Sequence, residues 1–102
     1  MAQFDLHRHT RSKRYPYLID LQSDLLRDLA TRIVAPLMPV ARLRGTPVSR
    51  LNPVTVIEGV EHVILFQELA AFPAGELGDV VGTLQIRRSE LVGALDLLFT
   101  GI

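Results

Sequence analysis

Alternation of apolar and polar side chains defines the start of the chain. In residues 3–9, Phe4 and Leu6 alternate with polar side chains, which is the two-residue period of a β strand with one face in water. Residues 10–14 are polar and basic, and residues 17–21 are again rich in aromatic and branched side chains. We therefore predict a β hairpin in which the second run returns beside the first.

The next segments break this regular pattern. Residues 22–29 carry enough leucine for one helical turn or a packed loop, and we interpret them as irregular. Residues 33–42 are apolar but contain Pro36 and Pro39, and proline has no amide hydrogen to donate to a neighbouring strand. This pattern predicts a bent strand at a sheet edge or bulge.

The second half of the chain begins with a further hairpin pattern. Residues 44–50 contain glycine and proline and are expected to form a surface loop. Residues 53–57 and 62–66 are β-rich runs, joined by a turn over residues 58–61. Residues 69–84 are rich in small residues, proline and glycine, so we expect one short strand there at most.

A helix is predicted at the C-terminal end. Ser89 is placed to cap it, and Glu90 follows at the first helical position, where its charge suits the helix dipole. The apolar positions cover an arc of roughly 220°, about twice what one core requires: Leu91, Val92, Ala94, Leu95, Leu97, Leu98 and Phe99. The second apolar face predicts a homodimer, since a second copy across a twofold axis is the simplest way to cover it.

Composition limits the classes of function. A chain of 102 residues predicts one domain over residues 1–102. Eleven basic residues balance eleven acidic ones, so no net field favours direct nucleic-acid binding. The chain has no cysteine and no long apolar run, so we expect a cytoplasmic protein without disulfides or a membrane span.

Catalytic and metal-binding motifs are not found. His7 and His9 share a strand face with Asp5, but a third metal ligand is not evident, and we interpret this face as polar and exposed. No phosphate-binding, Rossmann or nucleophile motif occurs, and we expect no cofactor and no catalytic residue. Basic side chains instead form two clusters that suit an acidic peptide: Arg8, Arg11, Lys13 and Arg14, and Arg42, Arg44 and Arg50.

Several stretches resemble the CcdB toxin family along nearly the whole chain. They are the Gln3-Phe4 pair, residues 17–26 with the run Asp-Leu-Gln-Ser-Asp, and residues 33–37, 48–50, 53–54 and 97–102, which end in Gly-Ile. The resemblance implies a mainly β, α+β fold: an SH3-like antiparallel barrel with a small extra sheet and a C-terminal helix, assembled as a homodimer. It also implies a bacterial toxin-antitoxin pair, in which the toxin binds the A subunit of DNA gyrase and traps the enzyme on cleaved DNA.

The resemblance also implies site residues. The residues implied to contact gyrase are Gln3, Phe4, Ser23, Leu25, Asp96, Thr100, Gly101 and Ile102. The best-known family pattern has Trp at the position of Thr100. A CcdA-like antitoxin with an acidic, disordered tail is implied to bind the basic residues Arg8, Arg11, Lys13, Arg14, Arg42 and Arg44, and the dimer contact is assigned to Leu97, Leu98 and Thr100.

Two alternative functions stay open at this point. An RNA-cleaving toxin of the Kid/MazF type has the same barrel and needs basic and hydroxyl groups that converge on a dimer cleft, for which Arg14, Thr31 and Ser49 are the candidates. A folded homologue that binds its antitoxin but is not toxic is the second alternative, motivated by Thr100.

Overall fold

One antiparallel sheet of seven short strands makes up most of the fold. The computed structural model describes all residues, Met1–Ile102. The strands are β1 (Asp5–Arg8), β2 (Tyr17–Asp20), β3 (Thr31–Pro39), β4 (Val54–Ile57), β5 (Val60–Ile64), β6 (Ala70–Pro73) and β7 (Val80–Thr83). Their order is β4-β5-β3-β2-β1-β7, and β6 pairs with β3. The sheet curls into a half-barrel, so the predicted mainly β, SH3-like α+β fold is confirmed.

Both predicted hairpins are present. β1 and β2 pair antiparallel, with Leu6 opposite Ile19. β4 and β5 are joined by a turn of two residues, Glu58 and Gly59, whose φ angles of 52° and 81° are both left-handed. Such a turn matches the right-handed twist of the two strands it joins, and it explains why glycine follows Glu58. The turn is shorter than predicted, because β5 already begins at Val60.

The position of β3 differs from the prediction. This strand was expected at an edge or a bulge because of its prolines, but it is the central strand, with β2 on one side and both β6 and β5 on the other. Pro36 lies where the partner changes from β6 to β5, and its carbonyl oxygen accepts from the Leu65 amide at 3.0 Å. In an antiparallel strand, the nitrogen and the carbonyl oxygen of one residue point to the same side. The Pro36 nitrogen therefore points away from β2, and no hydrogen bond to β2 is lost.

Residues 69–84 form two strands, so the prediction of one at most is wrong. β6 pairs with the first half of β3, and β7 pairs with β1. The segment has weak local β propensity, and its strands exist because long-range partners supply the hydrogen bonds. Gly78 in the connection donates to the Arg8 carbonyl oxygen at 3.1 Å, and a Cβ atom there would lie 2.5 Å from that same oxygen. This close approach requires glycine.

The polar face predicted for the first strand is covered in part. His7 is only 2% exposed, and its Nδ1 donates to the Gly78 carbonyl oxygen at 2.9 Å. The His9 ring packs edge-on against Phe72 at 5.4 Å between ring centroids. The prediction of an exposed face is therefore wrong for His7, because the β6–β7 connection folds over it. No three His, Asp or Glu side chains lie together as a metal site would require.

The C-terminal helix is confirmed, but its predicted cap is wrong. α1 (Arg88–Thr100) follows directly on a 3₁₀ helix, Gln85–Arg87, so the chain is already helical before Ser89 and needs no cap there. Glu90 accepts hydrogen bonds from the Arg87 guanidinium at 2.8 and 3.0 Å, and these lower the pKa of its carboxyl group. The other 3₁₀ helices are Asp24–Leu26, Val40–Arg42, Phe66–Glu68 and Ala74–Glu76.

The core lies between the concave face of the sheet and α1. Its buried side chains include Phe4, Leu6, Ile19, Leu37, Ile64 and Phe66 from the sheet side. Leu91 and Ala94 of α1 are fully buried against them, and burying a leucine contributes roughly 1.5–3 kcal/mol. The structure has no helix with the length and apolar content that crossing a membrane requires.

Candidate functional site

Gln3 is held at the junction of three segments. Its amide donates to the Asp24 carboxylate at 2.9 Å, and its side-chain amide donates to the Leu21 carbonyl oxygen at 3.1 Å. Arg88, at the start of α1, donates to the Gln3 side-chain oxygen at 2.8 Å. The resemblance implied a role for Gln3, and the structure brings it beside the Ser-Asp segment.

Phe4 lies beneath the surface. Its side chain is 1% exposed and belongs to the core, and its φ of 68° is unusual for a residue other than glycine. Two backbone hydrogen bonds hold it, from its own amide to Asp20 and from the Leu84 amide to its carbonyl oxygen. Phe4 therefore supports Gln3 from below, since its ring has no exposed face.

A buried ion pair lies behind the Ser-Asp segment. The Arg32 guanidinium contacts the Asp20 carboxylate at 2.6 Å, and the two side chains are 1% and 0% exposed. Arg32 also donates to the Gln22 carbonyl oxygen at 3.2 Å and lies 3.6 Å from Asp24. Arg32 could not be recognised from the sequence, because nothing along the chain indicates that its partner is Asp20, twelve positions away.

Ser23 begins the 3₁₀ helix that carries the exposed leucines. Its hydroxyl oxygen accepts from the Leu25 amide at 3.2 Å, which fixes the start of the turn. Leu25 is 91% exposed, and Leu26 and Leu29 are about half exposed. Three leucines in water on one short segment are typical of a surface that binds another protein.

The 3₁₀ helix and the end of α1 form one apolar groove. Leu26 from the first element and Leu95 and Phe99 from the second line this groove, together with Ile33 and Leu69. Phe99 is 68% exposed. The structure therefore joins the Ser23 segment to the helix end, which are more than seventy residues apart in the chain.

The chain end leaves the helical conformation at Gly101. The Thr100 hydroxyl donates to the Asp96 carbonyl oxygen at 2.7 Å, and Gly101 ends the helix with a left-handed φ of 78°. Ile102 is 79% exposed, and the Arg50 guanidinium donates to its carbonyl oxygen at 2.6 Å. The sequence indicated Arg50 only as part of a basic cluster and not as a partner of the chain end.

The two basic clusters meet on another face of the sheet. Arg42 donates to the Lys13 carbonyl oxygen at 3.2 Å, which joins the cluster of the β1–β2 loop to that of residues 42–44. A groove there is lined by four hydrophobic side chains, three arginines, one glutamine and one glutamate: Tyr15, Met38, Leu43, Leu65, Arg14, Arg42, Arg44, Gln67 and Glu68.

Two members of the first cluster are already paired. Arg8 forms an ion pair with Glu58, whose charge raises the pKa of Arg8, and Arg11 pairs with Glu76. Burial, and next the positive charge of Arg11, lower the pKa of His9 from its ordinary value, which favours the neutral ring. The free positive charge is therefore concentrated on Lys13, Arg14, Arg42 and Arg44, since no ion pair neutralises these side chains.

The two leucines assigned to the dimer differ in environment. Leu98 packs against the core of its own chain. Leu97 is half-buried but lies outside the core cluster. Leu97 is therefore the better probe of a contact with a second copy.

Within one chain, the candidates for RNA cleavage lie on separate segments. Arg14 precedes β2, whose Tyr17 pairs with Leu37 near the end of β3, whereas Thr31 begins β3. Six strand residues span about 20 Å. Ser49 lies on a third segment, in the loop before β4, and no hydrogen bond links these side chains.

The fold and its exposed surfaces indicate a class of protein. A small β structure with an apolar groove, an exposed chain end and a separate basic groove is organised to bind other proteins. The family model of the CcdB protein matches residues 3–101 of the 102 residues. The chain therefore belongs to the CcdB family, whose members are toxins that act by binding another protein.

Proposed function

We propose that the protein is a gyrase poison, which binds the A subunit of DNA gyrase and traps the enzyme on cleaved DNA. The observation that carries this proposal is the exposed surface of the 3₁₀ helix and the chain end, where Leu25 and Ile102 are 91% and 79% exposed. The proposed contact consists of Gln3, Ser23, Leu25, Asp96, Thr100, Gly101 and Ile102, with Phe4 supporting Gln3.

Symmetry supports this mode of action. The gyrase A subunits form a twofold dimer, and a toxin dimer with its two chain ends near its own axis matches that symmetry. Each copy then presents the exposed Ile102 side chain to one A subunit. The mechanism needs no cofactor and takes place in the bacterial cytoplasm, where gyrase acts.

The direct test uses purified toxin, gyrase, supercoiled plasmid and ATP. We expect linear plasmid after the protein is denatured, because a trapped cleavage complex leaves both DNA strands cut. Intact plasmid together with cleavage of added RNA would favour the nuclease alternative. Intact plasmid and intact RNA, with antitoxin binding retained, would identify a non-toxic homologue.

Charge reversal at Arg42 and Arg44 is expected to slow association with an acidic antitoxin peptide by about ten- to a hundredfold at low salt, since electrostatic steering governs encounter. These guanidinium groups rim the groove that Met38 and Leu65 line. Stopped-flow kinetics across a salt series measure the effect, and the salt dependence becomes flatter. Gyrase binding by the same variant is the control, and unaltered peptide kinetics would refute this antitoxin site.

Replacing Leu97 by aspartate is expected to dissociate the proposed homodimer. The charge enters a desolvated contact without a partner, which weakens association by several kcal/mol. Sedimentation velocity at micromolar concentration measures the assembly. Ile86→Asp is the matched control, since Ile86 is 97% exposed on the 3₁₀ helix before α1. A wild-type monomer at that concentration would contradict the dimer.

A further inference from the structure

The chain end is joined to a distant loop by a single side chain. The Arg50 guanidinium donates to the Ile102 carbonyl oxygen at 2.6 Å, across 52 positions in the chain. The Gly101 amide makes the last hydrogen bond of the helix, to the Leu97 carbonyl oxygen at 3.1 Å. Ile102 lies beyond this bond. Beyond that bond, the contact with Arg50 is the only hydrogen bond that holds Ile102.

The backbone of Arg50 is strained. Its φ is 68°, a left-handed conformation that residues with a side chain rarely adopt without a reason. Such strain persists only where the surrounding structure enforces it, and it is concentrated at functional sites.

The turn that carries Arg50 is tied to the core. The Asn52 side chain accepts from the Val48 amide at 2.9 Å and donates to the Ile64 carbonyl oxygen at 3.1 Å and to the Gln67 side chain at 2.8 Å. Asn52 is only 7% exposed. This buried amide fixes the turn to β5, so Arg50 extends from a rigid base and not from a free loop.

We propose that Arg50 is a positioning residue, which orients the Gly101–Ile102 end for its partner. The inference deepens the proposed function and rests on it, because that function assigns recognition to the chain end. An unrestrained end samples many conformations, and its partner must order it on binding. A contact that orders the end in the free protein removes this cost from the binding step, so Arg50 raises affinity without itself touching gyrase.

The test uses the full chain with Arg50→Gly, Arg50→Asn and Arg50→Lys. Glycine and asparagine adopt the left-handed conformation more readily than arginine, so the first two variants remove the contact without harming the fold. Lysine keeps a charged donor and is expected to retain part of the effect. Val48→Ala is the matched control, because it trims an exposed side chain in the same turn.

The first measurement needs no gyrase. Backbone ¹⁵N relaxation of Gly101 and Ile102 is expected to show a marked rise in nanosecond mobility in Arg50→Gly, with melting temperature unchanged or raised. Wild-type mobility at both amides in that variant would overturn the proposal, whatever the protein binds.

The second measurement is affinity for the gyrase A subunit by calorimetry. Loss of a hydrogen bond from a charged donor is expected to weaken binding about tenfold in Arg50→Gly. In a chain that lacks residues 100–102, Arg50→Gly is expected to have no further effect, because Arg50 acts through the end. A mobile end with unchanged affinity would overturn the positioning role. A wild-type chain that does not bind the A subunit would refute the proposed function itself, which the relaxation data distinguish from a failure at Arg50.

Discussion

Replacing Arg32 by leucine is expected to destabilise the protein by about 3–5 kcal/mol, enough to unfold much of it at 37 °C. The cause is the charge left behind, because Asp20 is 0% exposed and Arg32 is its only cationic partner. Gln22 and Asp24 contact the same guanidinium, so the Ser-Asp segment loses its support as well. Chemical denaturation of the two proteins measures the change in unfolding free energy.

A second variant separates the unpaired charge from the loss of packing. Replacing both partners, Asp20→Leu with Arg32→Met, is expected to recover much of the stability, since apolar pairs of similar volume often substitute well for a buried ion pair. Arg11→Gln is the surface control, because the Arg11 side chain is 71% exposed and its ion pair with Glu76 contributes little. A stability close to wild type in Arg32→Leu alone would show that Asp20 finds another partner.

Deleting residues 100–102 is expected to abolish gyrase trapping while the fold and antitoxin binding largely persist. Thr100, Gly101 and Ile102 are exposed and lie beyond Leu98, the last helix residue that packs against the core. The deletion therefore removes three of the seven proposed contact residues with little loss of buried surface. Plasmid linearisation by gyrase measures trapping. Circular dichroism measures the fold, and titration with an antitoxin peptide measures antitoxin binding.

The same deletion distinguishes the two kinds of toxin. A gyrase poison binds gyrase through its chain end, whereas an RNA-cleaving toxin acts through a cleft and retains activity without these residues. Growth arrest by the truncated protein, together with cleaved cellular RNA, would refute the gyrase proposal. Val80→Ala, in an exposed side chain of the edge strand β7, is a control that is expected to leave trapping unchanged.

The buried ion pair and the proposed contact surface are physically linked. Arg32 lies 3.6 Å from Asp24, and the Asp24 carboxylate in turn accepts from the Gln3 amide at 2.9 Å. A change at this ion pair is therefore transmitted to the surface through two contacts. For this reason we expect stability and gyrase affinity to fall together in Arg32 variants. In the truncated chain, we expect gyrase affinity to fall while stability is retained.

The site could be predicted from the sequence only in part. The family resemblance indicated Gln3, Ser23 and the chain end, and the structure joins the first two through Asp24. Exposure could not be predicted: Phe4 and Leu25 are both apolar, yet they are 1% and 91% exposed. Which of two apolar side chains is buried depends on what folds over it, and a local pattern does not contain that information.

The sequence by itself determined the elements that depend on near neighbours. The two hairpins and α1 followed from the period of apolar residues. These features are local, because a strand or helix period repeats within a few residues. Only the tertiary structure decided the central place of β3, the strands β6 and β7, and the partners of Arg32 and Arg50. Each of these depends on contacts between segments far apart in the chain, and their geometry exists only once the sheet has closed around its core.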